Sequence, residues 1–211
     1  KAMAVLQLWQ HFKLPDLSKA QPPTESAAAF RDVGMAAMHS DIHDPSRNLL
    51  VTFSSAVNGS FQHLHPSQNA FSISYGGIPL FWRTGYYNGG PIHDALSYKC
   101  SRAHNTILVD GMVQGFDLGA YGWLPRFATG KRISYVMGDA SHAYNGRFPK
   151  FGIDQPNQPR SVKSKNRDEF ITRENGYGMP GVTRFRRHMV MLRPSHVLIY
   201  DELEAEKPVT W

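Results

Sequence analysis

The run Asn69–Tyr75 sets Phe71, Ile73 and Tyr75 alternately with Ala70, Ser72 and Ser74, and Gly76-Gly77 follows at once. Side chains two residues apart on a strand share a face, so the pattern predicts a strand with one buried and one wetter side. Two glycines suit a two-residue turn that needs positive φ, which makes Ile78–Thr84 the antiparallel partner. A hairpin of this kind must bury its apolar face against other elements, and the surrounding sequence supplies more strand-like stretches. Asn48–Ser55, Lys131–Met137, Val182–Arg193 and the short apolar Val197–Asp201 read as strands. Phe30–His39 and His104–Asp110 read the same way, the latter stopping at the turn signal Asp110-Gly111. With 12% aromatics, 18 Gly and 14 Pro, the composition agrees: a mainly β chain of many short strands rather than a helical bundle.

The N-terminal part is different. Ala2, Val5, Leu6 and Trp9 recur at roughly helical spacing, so Lys1–Phe12 reads as the end of a helix. Leu14–Ser26 carries Pro15, Pro22 and Pro23 and reads as a linker. The expected organisation is therefore a helical end and linker over residues 1–26, then one β domain over 27–211. A start on Lys-Ala-Met-Ala and a final Trp211 inside a strand-like stretch suggest a piece of a longer protein, cut at the C-terminus as well. Tyr144–Asn166, rich in Pro, Asn, Gln and Lys, reads as a long loop or flap.

Composition also narrows function. A single cysteine, Cys100, excludes an internal disulfide framework and a zinc site of several thiolates. No apolar run approaches the ~20 residues of a membrane helix. The formal charge of +6 favours an anionic partner. The basic residues are scattered and no nucleic-acid-binding module is recognisable, so nucleic acid is not the expected partner.

His63-Leu64-His65-Pro66 is the stretch that speaks to chemistry. Pro66 biases His65 toward extended backbone, so the two imidazoles at i and i+2 project to one face. Such a pair can bind a metal, meet an anion or divide those tasks; two hydrogen-bonded structural histidines are the plainer alternative. Nearby, the glycine-rich loop Gly85–Ser97 carries Tyr86, Tyr87, His93 and Asp94.

Four separated motifs, taken in order, resemble the heparinase II/III-like polysaccharide lyases. They are His63-Leu-His65 with Gln68-Asn69-Ala-Phe71; Pro79-Leu80 leading to Thr84-Gly85-Tyr86-Tyr87; Ala103-His104-Asn105-Thr106; and Val109-Asp110-Gly111 with Gln114. Phe185-Arg186-Arg187 and Val197-Leu-Ile-Tyr200-Asp201 look like later strands of the same family. The resemblance covers roughly Phe30 to Trp211. It implies an antiparallel β-sandwich of the supersandwich kind, preceded by an α/α toroid of which this chain keeps a short helical remnant. The implied activity is β-elimination on a uronate-containing acidic polysaccharide, of glycosaminoglycan or alginate type, at a cleft shared with the toroid. By substrate class the protein is then periplasmic or secreted.

The resemblance also implies roles. His63 faces the cleft as a catalytic group, donating to the uronate carboxylate or exchanging a proton with the leaving oxygen. His65 and His104 correspond to ligands of a structural zinc that stiffens the sandwich beneath the cleft. Tyr86 and Tyr87 could stack on or hydrogen-bond a sugar. Asn105 fixes its loop or orients His104.

The chain departs from the pattern at two places: Arg83 and Ser67 stand where many relatives have Asp. Arginine cannot ligate a metal, so either another carboxylate such as Asp94 completes the zinc site or no metal binds. In the second case Arg83 could meet a substrate sulfate or carboxylate through its planar fork. Arg184 and Arg186 share a strand face and Arg187 opposes them; a solvated face is the default for the cluster. Two other classes remain: a non-catalytic carbohydrate-binding or structural sandwich, and a cupin-like metal enzyme, against which the missing carboxylate beyond His65 argues.

Overall fold

The computed structural model describes residues 17–21, 23–59, 65–83, 96–116, 118–145 and 172–211. The expected helix at Lys1–Phe12 lies outside them, as does most of the loop expected at Tyr144–Asn166. Among the described residues nine strands form two antiparallel sheets. The first sheet is a meander of β1 (Ala27–Phe30), β2 (Met35–His39), β3 (Leu49–Ser54), β4 (Ala70–Tyr75) and β5 (Ile78–Phe81). The second is a meander of β6 (Trp123–Thr129), β7 (Ile133–Asp139), β8 (Val182–Leu192) and β9 (His196–Ala205).

Period-two patterning decides which faces meet. In the first sheet, Ala36 lies opposite Phe53 and Phe53 opposite Phe71; Met38 lies opposite Val51 and Val51 opposite Ile73. These rows pack on Leu124, Val136, Met189 and Met191 of the second sheet to form the main core. Phe53, Met38, Val51, Val136, Met189 and Met191 are almost completely buried, and burial of each such side chain is worth roughly 1.5–3 kcal/mol. A second cluster, including Val109, Tyr144 and Phe185, fills the end of the sandwich where β8 begins.

The predicted β4–β5 hairpin is present, with Gly76 at φ 56° and Gly77 at φ 80° between its strands. Positive φ at both central residues is the turn that matches strand twist. Two expectations need correction. Phe30–His39 is not one strand: β1 and β2 are joined by a turn in which Gly34 adopts φ 66°, and a Cβ there would meet the Ser55 carbonyl at 2.1 Å. His104–Asp110 is not a regular strand either; it touches the first sheet through an isolated bridge between Asn105 and Phe71. Strand β6 was not expected from the sequence.

Candidate functional site

The two histidines that the described residues retain from the sequence motifs come together. His65 lies just before β4, and the backbone turns sharply after it, Ser67 N–H donating to the His65 carbonyl at 2.8 Å. Ser67 Oγ also donates to that carbonyl at 3.3 Å, so the residue standing in place of an expected carboxylate serves the loop backbone. His104 ends a single 3-10 turn, Ser101–Ala103, its N–H donating to the Ser101 carbonyl at 3.0 Å. His65 Nδ1 then lies 3.0 Å from His104 Nε2, with the rings edge to face and their centroids 5.1 Å apart.

Burial pushes the His104 imidazole down to a pKa of about 4, and the nearby His65 and Arg83 push the same way. His104 is therefore neutral near pH 7. Its remaining ring nitrogen hydrogen-bonds the Tyr98 backbone carbonyl, which leaves Nε2 with a lone pair aimed at His65. Facing ring nitrogens at this distance need either one shared proton or a cation between them.

That condition is the test for zinc. Two zinc–nitrogen bonds of ~2.0 Å at a tetrahedral angle separate the nitrogens by ~3.3 Å, close to the spacing seen. A carbonyl holding the far nitrogen of one ring is also a usual companion of a metal-bound imidazole. Two imidazoles thus fit as half of a zinc site. Among the described residues no cluster of three His, Cys, Asp or Glu side chains gathers, and Asp94 lies outside them.

The pair opens on a cavity of about 520 Å³ on the outer side of the first sheet. Thr52, Ser54, Ser72 and Trp82 line it together with His65, His104 and Arg83. Arg83 is carried there by the chain leaving the free edge of the sheet at β5, and it is exposed. The sequence-predicted residues Arg83, His65 and His104 are therefore brought to one place. His63, Tyr86 and Tyr87 lie outside the described residues.

What holds the two histidine segments together is a set of buried side chains, most of which sequence reasoning gave no role. Gln114, fully buried, accepts the Gln68 N–H on Oε1 at 2.7 Å and donates from Nε2 to the Gln68 carbonyl at 3.0 Å and to Thr106 Oγ1 at 3.2 Å. Thr106 Oγ1 donates to the Gln68 carbonyl at 2.8 Å, and Ser101 Oγ to the Pro66 carbonyl at 2.6 Å. Asn105 acts as expected, its Nδ2 donating to the Phe71 carbonyl at 3.0 Å. Gln68 in turn receives the Ala56 N–H on Oε1 at 2.6 Å. The signal available in the sequence was Gln114 set among Met112, Val113, Gly115 and Phe116, since a buried amide must find partners.

The arginine cluster needs a further correction. Arg184 and Arg186 are exposed or half-buried and pair with Glu204 at 3.1 Å and Asp139 at 2.8 Å. Arg187 is not on a solvated face: it points into the sandwich, 5% exposed, and forms a two-bond pair with Asp201.

Residues 22–210 match the family described as heparinase II/III-like, C-terminal. The chain belongs to that family. No curated protein matches this heparinase II/III-like domain. Solved structures do. The heparan sulfate lyase HepC from Pedobacter heparinus is similar with a TM-score of 0.61 at 13% identity, over 97% of this chain and 27% of that one. A mutant of the same lyase gives 0.60 at 14% identity, over 89% and 23%. The heparinase III BT4657 gene product gives 0.57 at 13%, over 87% and 23%. At such identities the likeness is one of fold, and it agrees with the sandwich expected from sequence. This domain spans about a quarter of the length of those structures. Among its described residues no helix is long and apolar enough to cross a membrane.

Proposed function

We propose that this domain is the sandwich wall of the active-site cleft of a lyase that cleaves uronate-containing acidic polysaccharide, of glycosaminoglycan or alginate type, by β-elimination. The observation that carries the reading is that the His65–His104 pair and the nearby Arg83 line one cavity, in a chain of the heparinase II/III-like family. In this reading residues 1–26 are the end and linker of an N-terminal toroid, residues 27–211 are the sandwich, and the site is shared between the two. The location is periplasmic or secreted, because large anionic polysaccharides are met there.

The reaction removes the proton beside the uronate carboxylate and expels the 4-linked sugar. The proton becomes acidic only as the carboxylate charge is neutralised, so donors and cations must be aimed at it. Arg83 supplies a permanent cation with a planar fork suited to carboxylate or sulfate. His63 is assigned the donor or proton-exchange role toward carboxylate or leaving oxygen, and Tyr86 and Tyr87 contact sugar. His65 and His104 hold zinc, with the third ligand supplied from beyond the described residues. When bound, the metal ties the two histidine segments together beneath the cleft. The net charge of +6 suits a polyanionic substrate.

The test is an absorbance screen for unsaturated uronides, using the full-length protein against heparin, heparan sulfate, chondroitin sulfate, hyaluronan and alginate, with the 211-residue chain as control. Product from the full-length protein alone is expected. Silence from both, with glycan binding by the shorter chain, would establish instead a carbohydrate-binding or structural sandwich.

A further inference from the structure

Arg187 does something that a core residue of ordinary purpose does not. Its Nε and Nη2 donate to the two carboxylate oxygens of Asp201, both at 2.8 Å. This uses one edge of the guanidinium. From the other edge Nη1 donates to the carbonyls of Asn69 at 2.9 Å and Asn105 at 2.8 Å. The plane is held near Phe71 and Phe185, each ring centroid 5.5 Å from Cζ.

Those two carbonyls belong to the two histidine segments. Asn105 directly follows His104, and Asn69 closes the short segment that begins at His65. Asn69 is itself fixed in the left-handed region, φ 57°, by its Nδ2 donating to the carbonyls of Gly138 and Phe185 at 3.1 and 3.2 Å. A buried ion pair is weak as a source of stability, because an apolar pair of similar volume commonly does as well or better. An apolar pair cannot hold two carbonyls from different loops at one nitrogen. Lysine cannot do so while also gripping a carboxylate through two parallel bonds.

We propose that Arg187, locked by Asp201, is the positioning residue of the paired-imidazole site: it reaches from the second sheet into the first and sets the His104 segment against the His65 segment. The inference rests on the reading of His65 and His104 as a working pair. Gln114, Thr106 and Ser101 stitch the same segments from the other side, so Arg187 completes a clamp around them. Loss of the clamp should disorder the spacing of the two ring nitrogens more than it disorders the sandwich.

The experiment compares the full-length protein with Arg187→Lys and with the double variant Arg187→Met/Asp201→Leu, which removes both buried charges together. Three quantities are read: melting temperature, affinity for zinc alone by competition with a chromophoric chelator, and the imidazole nitrogen NMR signals of His65 and His104 in the metal-free protein. The double variant removes both buried charges but also the donor to the two carbonyls, so it should melt below the parent while still unfolding cooperatively, should bind zinc about tenfold or more weakly, the effect typical of losing a group that orients a ligand, and should lose the shared N–H signal. Arg187→Lys should show the same loss, and it decides the matter if the double variant does not fold. Zinc affinity within twofold of the parent, with the shared N–H signal retained in a folded variant, would overturn the proposal. A parent that binds no zinc would remove the zinc reading alone; the NMR signals then decide the role of Arg187 by the same criterion.

Discussion

Replacing Gln114 with leucine keeps the approximate volume and removes three hydrogen bonds at once. The Gln68 N–H, bound at 2.7 Å, loses its partner in a fully buried place. The Gln68 carbonyl keeps Thr106 as donor, so it is weakened rather than orphaned. One buried orphan costs about 1–3 kcal/mol and each of the two further bonds about 0.5–1.5 kcal/mol, giving roughly 2–6 kcal/mol in total. For a domain of this size each kcal/mol moves the melting temperature by about 2–4 °C, so the expected loss is about 4–24 °C. Gln114→Glu sharpens the test. The carboxylate can still accept from Gln68 N–H but sets a second acceptor where Nε2 donated to the Gln68 carbonyl at 3.0 Å. At neutral pH this variant should be at least as unstable as the leucine one, and acidification should narrow its deficit, because the protonated acid regains a donor. Thermal melts over a pH series are enough. A leucine variant within about 2 °C of the parent, or a glutamate variant like the parent at neutral pH, would refute the claim that this amide ties the two histidine segments together.

Three further outcomes are expected. Gly138→Ala would place a Cβ 2.1 Å from Asn69 Oδ1 and 2.6 Å from the Phe53 ring, so a loss of about 1–3 kcal/mol is expected on denaturant unfolding; an unchanged midpoint would mean that Phe53 and Asn69 move aside freely. Burial raises the Asp139 carboxyl, but hydrogen bonds from Ser141 and Arg186 outweigh it and leave its pKa below the usual carboxylate value. The folded state thus holds the proton less tightly than the unfolded chain, so this stabilisation is present above pH ~4 and disappears as pH falls through the lowered value; the gap in melting temperature between parent and Asp139→Asn should be widest near neutrality and close in acid. His104→Ala should lower bound zinc and thermal stability together, and metal analysis finding no zinc in the native protein would retire that cofactor.

The first sheet was legible where the pattern is local. Alternation in β4 and the Gly76-Gly77 turn are contained within ten residues, and both strand and turn form; Ile73 is buried, but Tyr75 beside the turn is exposed and Ala70 on the other face is buried. The split of Phe30–His39 turned on one glycine inside an alanine-rich run, whose small side chains give little contrast between faces. Strand β6 was missed because Pro125 and Arg126 demote such a stretch; it escapes the penalty by lying at a sheet edge with a register shift between Trp123 and Arg126. His104–Asp110 carries a strand-like pattern, yet it pairs through isolated bridges, Asn105 with Phe71 and Val109 with Met112, and through side chains rather than through a continuous ladder. Of the site, the His65–His104 pairing and the role of Asn105 were available from the motifs. Arg187 was not, since its inward face could be inferred from alternation but its counter-charge comes from the adjacent strand, fourteen residues on.

The sandwich and the site therefore rest on different physics. The sheets are held by ladders and by apolar rows such as Met38, Val51, Phe53 and Met189, which tolerate exchange among residues of similar volume. The histidine segments lie just outside the regular ladders, so their relative placement depends on Gln114, Thr106, Ser101, Asn105 and Arg187, each satisfying named carbonyls or amides. The fold persists across chains of 13–14% identity, as expected where ladders and apolar rows rather than single stitches hold the core. Ser67 and Arg83 both line the cavity, so a change at either alters what the site presents there and leaves Gln114 and Arg187 in place.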